Sequence, residues 1–228
     1  PYWGACDPEN AKNRRLRCSI LVTRKDQAGV TRVLVDTSPD MREQLLAARV
    51  GRLDGVLITH EHADQLHGLD DLRVIMLNMK RRVDLWSDAR GLHGVMKKFG
   101  YCFHTPEGSD YPPILNAHEI PEPFAEFGID GAGGAVPVRA FGVRHGRIRS
   151  LGYRFGQVAY APDVDGLDDD AYAALDGVDC WIVDALRYTP HPSHAHLERT
   201  LEWIARVKPK RAILTNMHVD LDYDTLVR

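Results

Sequence analysis

The run Val56-Leu57-Ile58-Thr59 is apolar almost to its end and passes directly into His60-Glu61-His62-Ala63-Asp64. A strand with no polar alternation is covered on both faces, as in a sheet flanked by helices. His60 and His62 are two apart, so an extended backbone sends both rings to one side, and Asp64 continues the alternation. Imidazole and carboxylate are good ligands for Zn and also serve Mn or Fe. A bare His-x-His reads as a solvated polar loop. Here the preceding apolar strand, the added Asp64 and the following Gly68 favour a metal site at a strand's carboxyl end.

The rest of the chain alternates strands and helices. Ser19-Ile20-Leu21-Val22-Thr23 and Arg32-Val33-Leu34-Val35 read as strands, followed by a helix from Pro39 to Arg49 with Ser38 as its cap. A helix is predicted over Ala89–Phe99. Residues 105–134, rich in Pro, Gly and acidic residues, read as an irregular inserted loop. Strands follow at Val136–Phe141, Ser150–Phe155 and Gln157–Ala161, with Gly156-Gln157 as a hairpin turn. Cys180-Trp181-Ile182-Val183-Asp184-Ala185 is a further buried strand. His196–Val207 shows helical periodicity through Leu197, Leu201 and Ile204, and Arg211–Thr215 is the last strand. The pattern is α/β, with helices covering sheets.

The 228 residues are enough to bury a sizeable core, and we read them as one domain over 1–228 with both ends open to continuation. Hydrophobic residues at 44% and charged residues at 27% exclude a disordered, collagen-like or coiled-coil chain. No apolar run approaches the ~18–20 residues needed to cross a bilayer, so no membrane partner is expected. The start, Pro1-Tyr2-Trp3-Gly4, lacks the basic and apolar stretches of a secretory signal. Cys6, Cys18, Cys102 and Cys180 form no Cys-x-x-Cys pair and read as thiols of a reducing cytoplasm. A net charge of −3 disfavours long nucleic acid as a partner but is compatible with a small phosphate ester.

The run Thr59-His60-Glu61-His62-Ala63-Asp64-Gln65-Leu66-His67-Gly68-Leu69-Asp70-Asp71-Leu72-Arg73 resembles the metallo-β-lactamase superfamily, in particular its branch of PhnP-type phosphodiesterases. The similarity extends from Trp3-Gly4-Ala5-Cys6-Asp7 to Asp222-Tyr223. The resemblance implies an αββα four-layer sandwich holding one or two divalent metal ions, Zn or Mn. It implies that His60, His62 and His145 hold the first metal, that Asp163 bridges both, and that Asp64 serves the second. Asp36 matches a supporting carboxylate behind the ligands, or equally serves as a helix cap. The family's structural zinc site of clustered cysteines is not carried over, because only Cys6 and Cys18 lie in the N-terminal part.

Two positions depart from the family, and both fall on the second metal. Gln65 stands where a histidine usually follows the motif aspartate, and Asn216 stands where the last histidine usually lies. Neutral amides are poor ligands for Zn. His218 is the candidate replacement ligand, with His67 behind it, and a one-metal enzyme is the alternative expectation. In Thr189-Pro190-His191-Pro192-Ser193-His194-Ala195-His196 the resemblance places a histidine near the leaving group. His194 is that candidate, located where the following helix is expected to begin, and His191 is a weaker substrate-binding candidate.

The function these features imply is hydrolysis of small nucleotide-like or cyclic phosphodiesters through a metal-bound hydroxide, with Asp64 and His194 as catalytic groups. Hydrolysis of a thioester, lactone or lactam is the first alternative. RNA processing in the manner of tRNase Z lacks a basic, Gly-rich arm here. A non-catalytic nucleotide-binding or sensing protein with a weakened second metal is the alternative that Gln65 and Asn216 favour. The sequence leaves oligomeric state open, a homodimer included.

Overall fold

The computed structural model describes residues 2–227, which fall into two compact units: residues 17–140, and residues 2–16 together with 141–227. No helix among the described residues is long and apolar enough to cross a membrane.

The first unit is built on a five-stranded sheet. Its elements are β1 (Ile20–Lys25), β2 (Val30–Val35), α1 (Met41–Ala47), β3 (Gly55–Leu57), α2 (Ala63–Leu66), α3 (Leu72–Met79), β4 (Val83–Ser87), α4 (Ala89–Phe99) and β5 (Leu115–Glu119). β1 and β2 form an antiparallel pair, after which β3, β4 and β5 continue in parallel. β3 lies between β2 and β4 with every residue buried, which is why its sequence shows no alternation. Leu34, Met41, Val56, Ile58, Leu69 and Leu85 belong to the core between this sheet and its helices.

Helix α1 begins later than expected. Asp40 is its N-cap, while Ser38 forms the turn before it, accepting the Met41 N–H on its carbonyl at 2.9 Å and the Asp40 N–H on its hydroxyl at 3.2 Å. Helix α4 spans the expected residues, with the Asp88 side chain capping the Gly91 N–H at 2.7 Å. The stretch 105–134 is not wholly irregular, as it contains β5 and a short β6 (Phe127–Ile129). β5 carries little apolar signal because only Leu115 is buried. Polar partners support it instead, with Asn116 Nδ2 and His118 Nε2 at 3.0 and 2.8 Å from Asp84 Oδ1 on β4. β6 pairs antiparallel with the first residues of β7 (Val136–His145).

The boundary between units falls inside β7. The second unit adds β8 (Ile148–Phe155), β9 (Val158–Ala161), α5 (Asp169–Leu175), β10 (Cys180–Asp184), α6 (Leu197–Val207), β11 (Arg211–Thr215) and α7 (Tyr223–Leu226). In order the strands run β11, β10, β9, β8, β7. β8 and β9 are antiparallel, whereas β9, β10 and β11 are parallel. Trp181, Val183, Ala171, Leu175 and Trp203 are among its core residues. The apolar face of α6 is rotated from the expected one: Thr200 and Trp203 are buried, Ile204 packs on the core, and Leu201 faces solvent.

Candidate functional site

In the first unit, Ile58 and Thr59 carry the chain from β3 to the histidines. The Thr59 N–H donates to Asp36 Oδ1 at 2.8 Å, and the Thr59 hydroxyl lies 3.0 Å from both Asp36 oxygens. The same hydroxyl lies 3.1 Å from His60 Nδ1. A hydroxyl that donates to the carboxylate accepts from Nδ1–H, which sets the tautomer and makes Nε2 the ligand atom of His60. Asp36 therefore reaches His60 through Thr59. It does not cap a helix, because Asp40 takes that position.

Asp36 is fully buried, and its backbone is left-handed, with φ 65°. Burial pushes its carboxyl up to about 8. The two Thr59 hydrogen bonds oppose that rise, and the charge of Asp64 adds to it.

The rings of buried His60 and exposed His62 meet edge to face with centroids 4.5 Å apart. The alternation ends at His62, whose extended backbone caps α2, so Asp64 lies in that helix's first turn rather than on a continuing strand. Gln65 is fully buried in the same helix, and its main-chain carbonyl accepts the Thr37 N–H at 2.9 Å. His67, at the end of α2, sets its ring against Phe99 at 5.7 Å and packs there.

In the second unit, β7 ends on His145, and Gly146 turns the chain with φ 60°. A Cβ at Gly146 would lie 2.9 Å from Ser193 Cβ, so the bare turn lets the segment before α6 come close. His145 Nδ1 bonds to the Ser193 carbonyl at 2.6 Å, which presents Nε2 for a metal. Asp163 follows β9 and is buried. His145, Asp163 and His194 can each offer one ligand atom, and these atoms lie within 4.8 Å of one another. Two imidazoles and a carboxylate at that spacing fit a divalent cation such as Zn or Mn. His194 was expected to act beside the metal, and it lies within this donor cluster.

His194 does not begin a helix, since His196 is the N-cap of α6. Its Nδ1 lies 2.8 Å from Asp184 Oδ2 and 3.6 Å from Asp163 Oδ1. Asp184, in contact with His194, is a buried carboxylate of this cluster that the sequence reading did not single out. The available signal was a carboxylate closing the otherwise apolar β10. Burial pushes Asp184 up to about 6, against the hydrogen bond and charge of His194. Asp184 Oδ2 also accepts the Val164 N–H at 3.2 Å. Asn216, with φ 58°, places Nδ2 3.3 Å from Asp163 Oδ1 and 3.3 Å from the Pro162 carbonyl. The amide donates to a carboxylate from the position where the family has a metal-binding histidine.

The His191 ring lies tilted against that of His194 with centroids 5.1 Å apart, and its Nδ1 accepts the Ser193 N–H at 3.3 Å. Partial burial lowers its pKa, helped by the charges of His194 and Arg187. His218 lies outside the cluster of His145, Asp163 and His194, and its Nδ1 pairs with Asp220 at 3.2 Å.

Comparison with known proteins gives the same direction. A family described as a beta-lactamase superfamily domain matches residues 31–217. An octanoyltransferase of Porphyromonas gingivalis is 31% identical over 215 residues, 93% of this chain and 41% of that protein. A ribonuclease Z of Bradyrhizobium is 31% identical over 133 residues, 57% of this chain and 42% of that protein. This chain thus spans well under half the length of these curated relatives. Among solved structures, a diphosphatase from the PhnP family superposes with a TM-score of 0.82 at 29% identity, covering 96% of this chain and 80% of that one.

Proposed function

The chain belongs to the beta-lactamase superfamily, with the metallo-β-lactamase fold, and from that premise we propose that it is a metal-dependent phosphodiesterase acting on small nucleotide-like or cyclic phosphodiesters. The observation that carries this reading is the cluster of His145, Asp163 and His194 with Asp184 behind it. The likeness to a diphosphatase supports the choice of phosphate chemistry.

In this reading His60, His62, Asp64, His145 and Asp163 hold one or two divalent ions, as family membership implies. His218, paired with Asp220, is left out of the set. A divalent ion held by these residues would lower the pKa of a bound water and offset phosphoryl charge. Asp64, in the first turn of α2, accepts the proton of the attacking water. His194, with Nδ1–H on Asp184, would act as the general acid in its imidazolium form, giving the Nε2 proton to the leaving oxygen and becoming the neutral ring. The natural setting of this reading is the cytoplasm.

A second reading is hydrolysis of a thioester, which the likeness to an octanoyltransferase favours. The test is metal content by elemental analysis beside hydrolysis of bis-(p-nitrophenyl) phosphate and of an octanoyl thioester, each with and without added Mn. Phosphodiester turnover with at least one metal per chain supports the proposal. Turnover of the thioester alone replaces it with the second reading. No turnover of either returns the chain to the class of non-catalytic binding proteins that Gln65 and Asn216 suggest.

A further inference from the structure

Within the first unit, the segment after the metal-ligand run helps to form a pocket of about 340 Å³ lined by Arg73, Tyr101, Pro106, Ser109, Tyr111 and Pro112. Small-molecule sites span roughly 300–1,000 Å³, so this one suits a single small group. Its Arg73 and Tyr101 side is tied to the motif run. The Lys98 ammonium, near the end of α4, donates to the Glu61 carbonyl. Phe99 meets His67 at 5.7 Å and Tyr101 at 6.3 Å. Arg73 bonds Asp70 at 2.7 Å, and the Cys102 thiol lies 3.7 Å from the same Asp70 oxygen. The residues that continue from His60-Glu61-His62 therefore also hold Arg73 and Tyr101.

The lining is rich in rings: it combines two phenols and two pyrrolidines with one guanidinium and one hydroxyl, and none of the lining residues is anionic. Tyr101 and Tyr111 are 43% and 73% exposed, so the pocket offers ring faces that the core does not use. Pro112 and Pro113, directly after Tyr111, restrict its backbone and limit the freedom lost when a ligand binds. Burial pushes the Tyr101 hydroxyl up to about 12, which keeps it a neutral donor. An acyl chain would need enclosed apolar walls. A planar heterocycle instead gains about 1–3 kcal/mol by stacking on an aromatic face, with Arg as a cation–π and hydrogen-bonding partner for ring acceptors.

We infer that this pocket is the base subsite of the proposed phosphodiesterase: the nucleobase of a nucleotide substrate stacks on Tyr101 and Tyr111 while Arg73 bonds its ring acceptors. The assignment rests on the phosphodiesterase reading for its substrate class, but binding tests it without turnover. The probe is AMP, compared with ribose 5-phosphate, which carries the same phosphate and sugar without the base. Calorimetry on the metal-loaded protein is expected to show AMP binding at least tenfold tighter. Tyr111→Ala, at a largely exposed position that folding does not need, removes most of that difference and leaves ribose 5-phosphate affinity unchanged. Tyr101→Ala does the same. Equal affinities, no measurable AMP binding, or a preference that survives Tyr111→Ala overturns the subsite, even if phosphodiesters are hydrolysed. A tenfold preference lost in Tyr111→Ala, with no phosphodiester turnover, keeps the subsite and removes the catalytic reading.

Discussion

Asp184 Oδ2 stands 2.8 Å from His194 Nδ1, at the buried end of β10. The carboxylate fixes which imidazole nitrogen carries the proton and where the other one points. Asp184→Ala leaves both His194 Nδ1 and the Val164 N–H without this acceptor. Loss of such a supporting partner typically costs about 10–100-fold in activity or metal affinity. The expected result is a fall of that size in phosphodiester kcat, with Asp184→Asn falling less because its carbonyl oxygen can still accept. Steady-state kinetics on the three proteins decides it, and an unchanged kcat in Asp184→Ala would remove Asp184 from the machinery.

His60 and His194 are expected to separate metal binding from rate. His60→Ala should lose both bound metal and turnover, as elemental analysis and an activity assay would show together. His194→Ala should retain metal through the remaining ligands and lose rate. Loss of metal in that variant would make His194 a ligand, a role its place beside His145 and Asp163 would accommodate.

Asp36 carries a pH dependence that the metal-free chain should reveal. Its folded value, about 8, lies above the ordinary carboxyl value of 3.8. The unfolded chain therefore releases this proton first as pH rises, and the contribution of Asp36 to stability is full below about pH 4 and lost toward pH 8. Asp36→Asn lacks this titration. Denaturant midpoints of the chelated proteins should show wild type losing ground to the variant across that window. A constant difference would mean that Asp36 is not raised.

Gly68 is expected to resist even alanine. A Cβ there would lie 2.1 Å from the Ser38 carbonyl oxygen and 3.1 Å from that of Thr37, both backbone atoms that cannot rotate away. The Gly68 N–H also donates to the Thr37 carbonyl at 2.8 Å. Gly68→Ala should cost about 1–3 kcal/mol by overpacking. Urea unfolding measures it, and a loss near zero would show that the loop yields.

Much of this was legible in the sequence where one residue type did one job. β3 and β10 read directly because both faces are covered, and Asp88 marks the start of α4. Helix α3 did not read, since Val74 and Leu77 are apolar yet exposed and blur the stripe formed by buried Leu72 and Ile75. α5 buries Ala171 and Ala174, whose small side chains give a weak apolar signal. β4 was not read as a strand either, although it alternates, with Val83, Leu85 and Ser87 buried. In the site, His60 and His62 followed from spacing within one segment. The contact of Asp184 with His194 depends on where β10 delivers its last residue, which local spacing cannot express.

Asp36 and Asn216 share a left-handed backbone, with φ 65° and 58°, where β2 and β11 end. Asn, Asp and His enter that region several-fold more often than other side chains, whereas β-branched and bulky residues are outliers there. The chain path at 216 thus restricts evolutionary drift to a small alphabet that contains both the present amide and the family's imidazole. Exchange between them needs no rebuilding of the turn, so Asn216→His would set the family's imidazole on the present backbone by a single substitution.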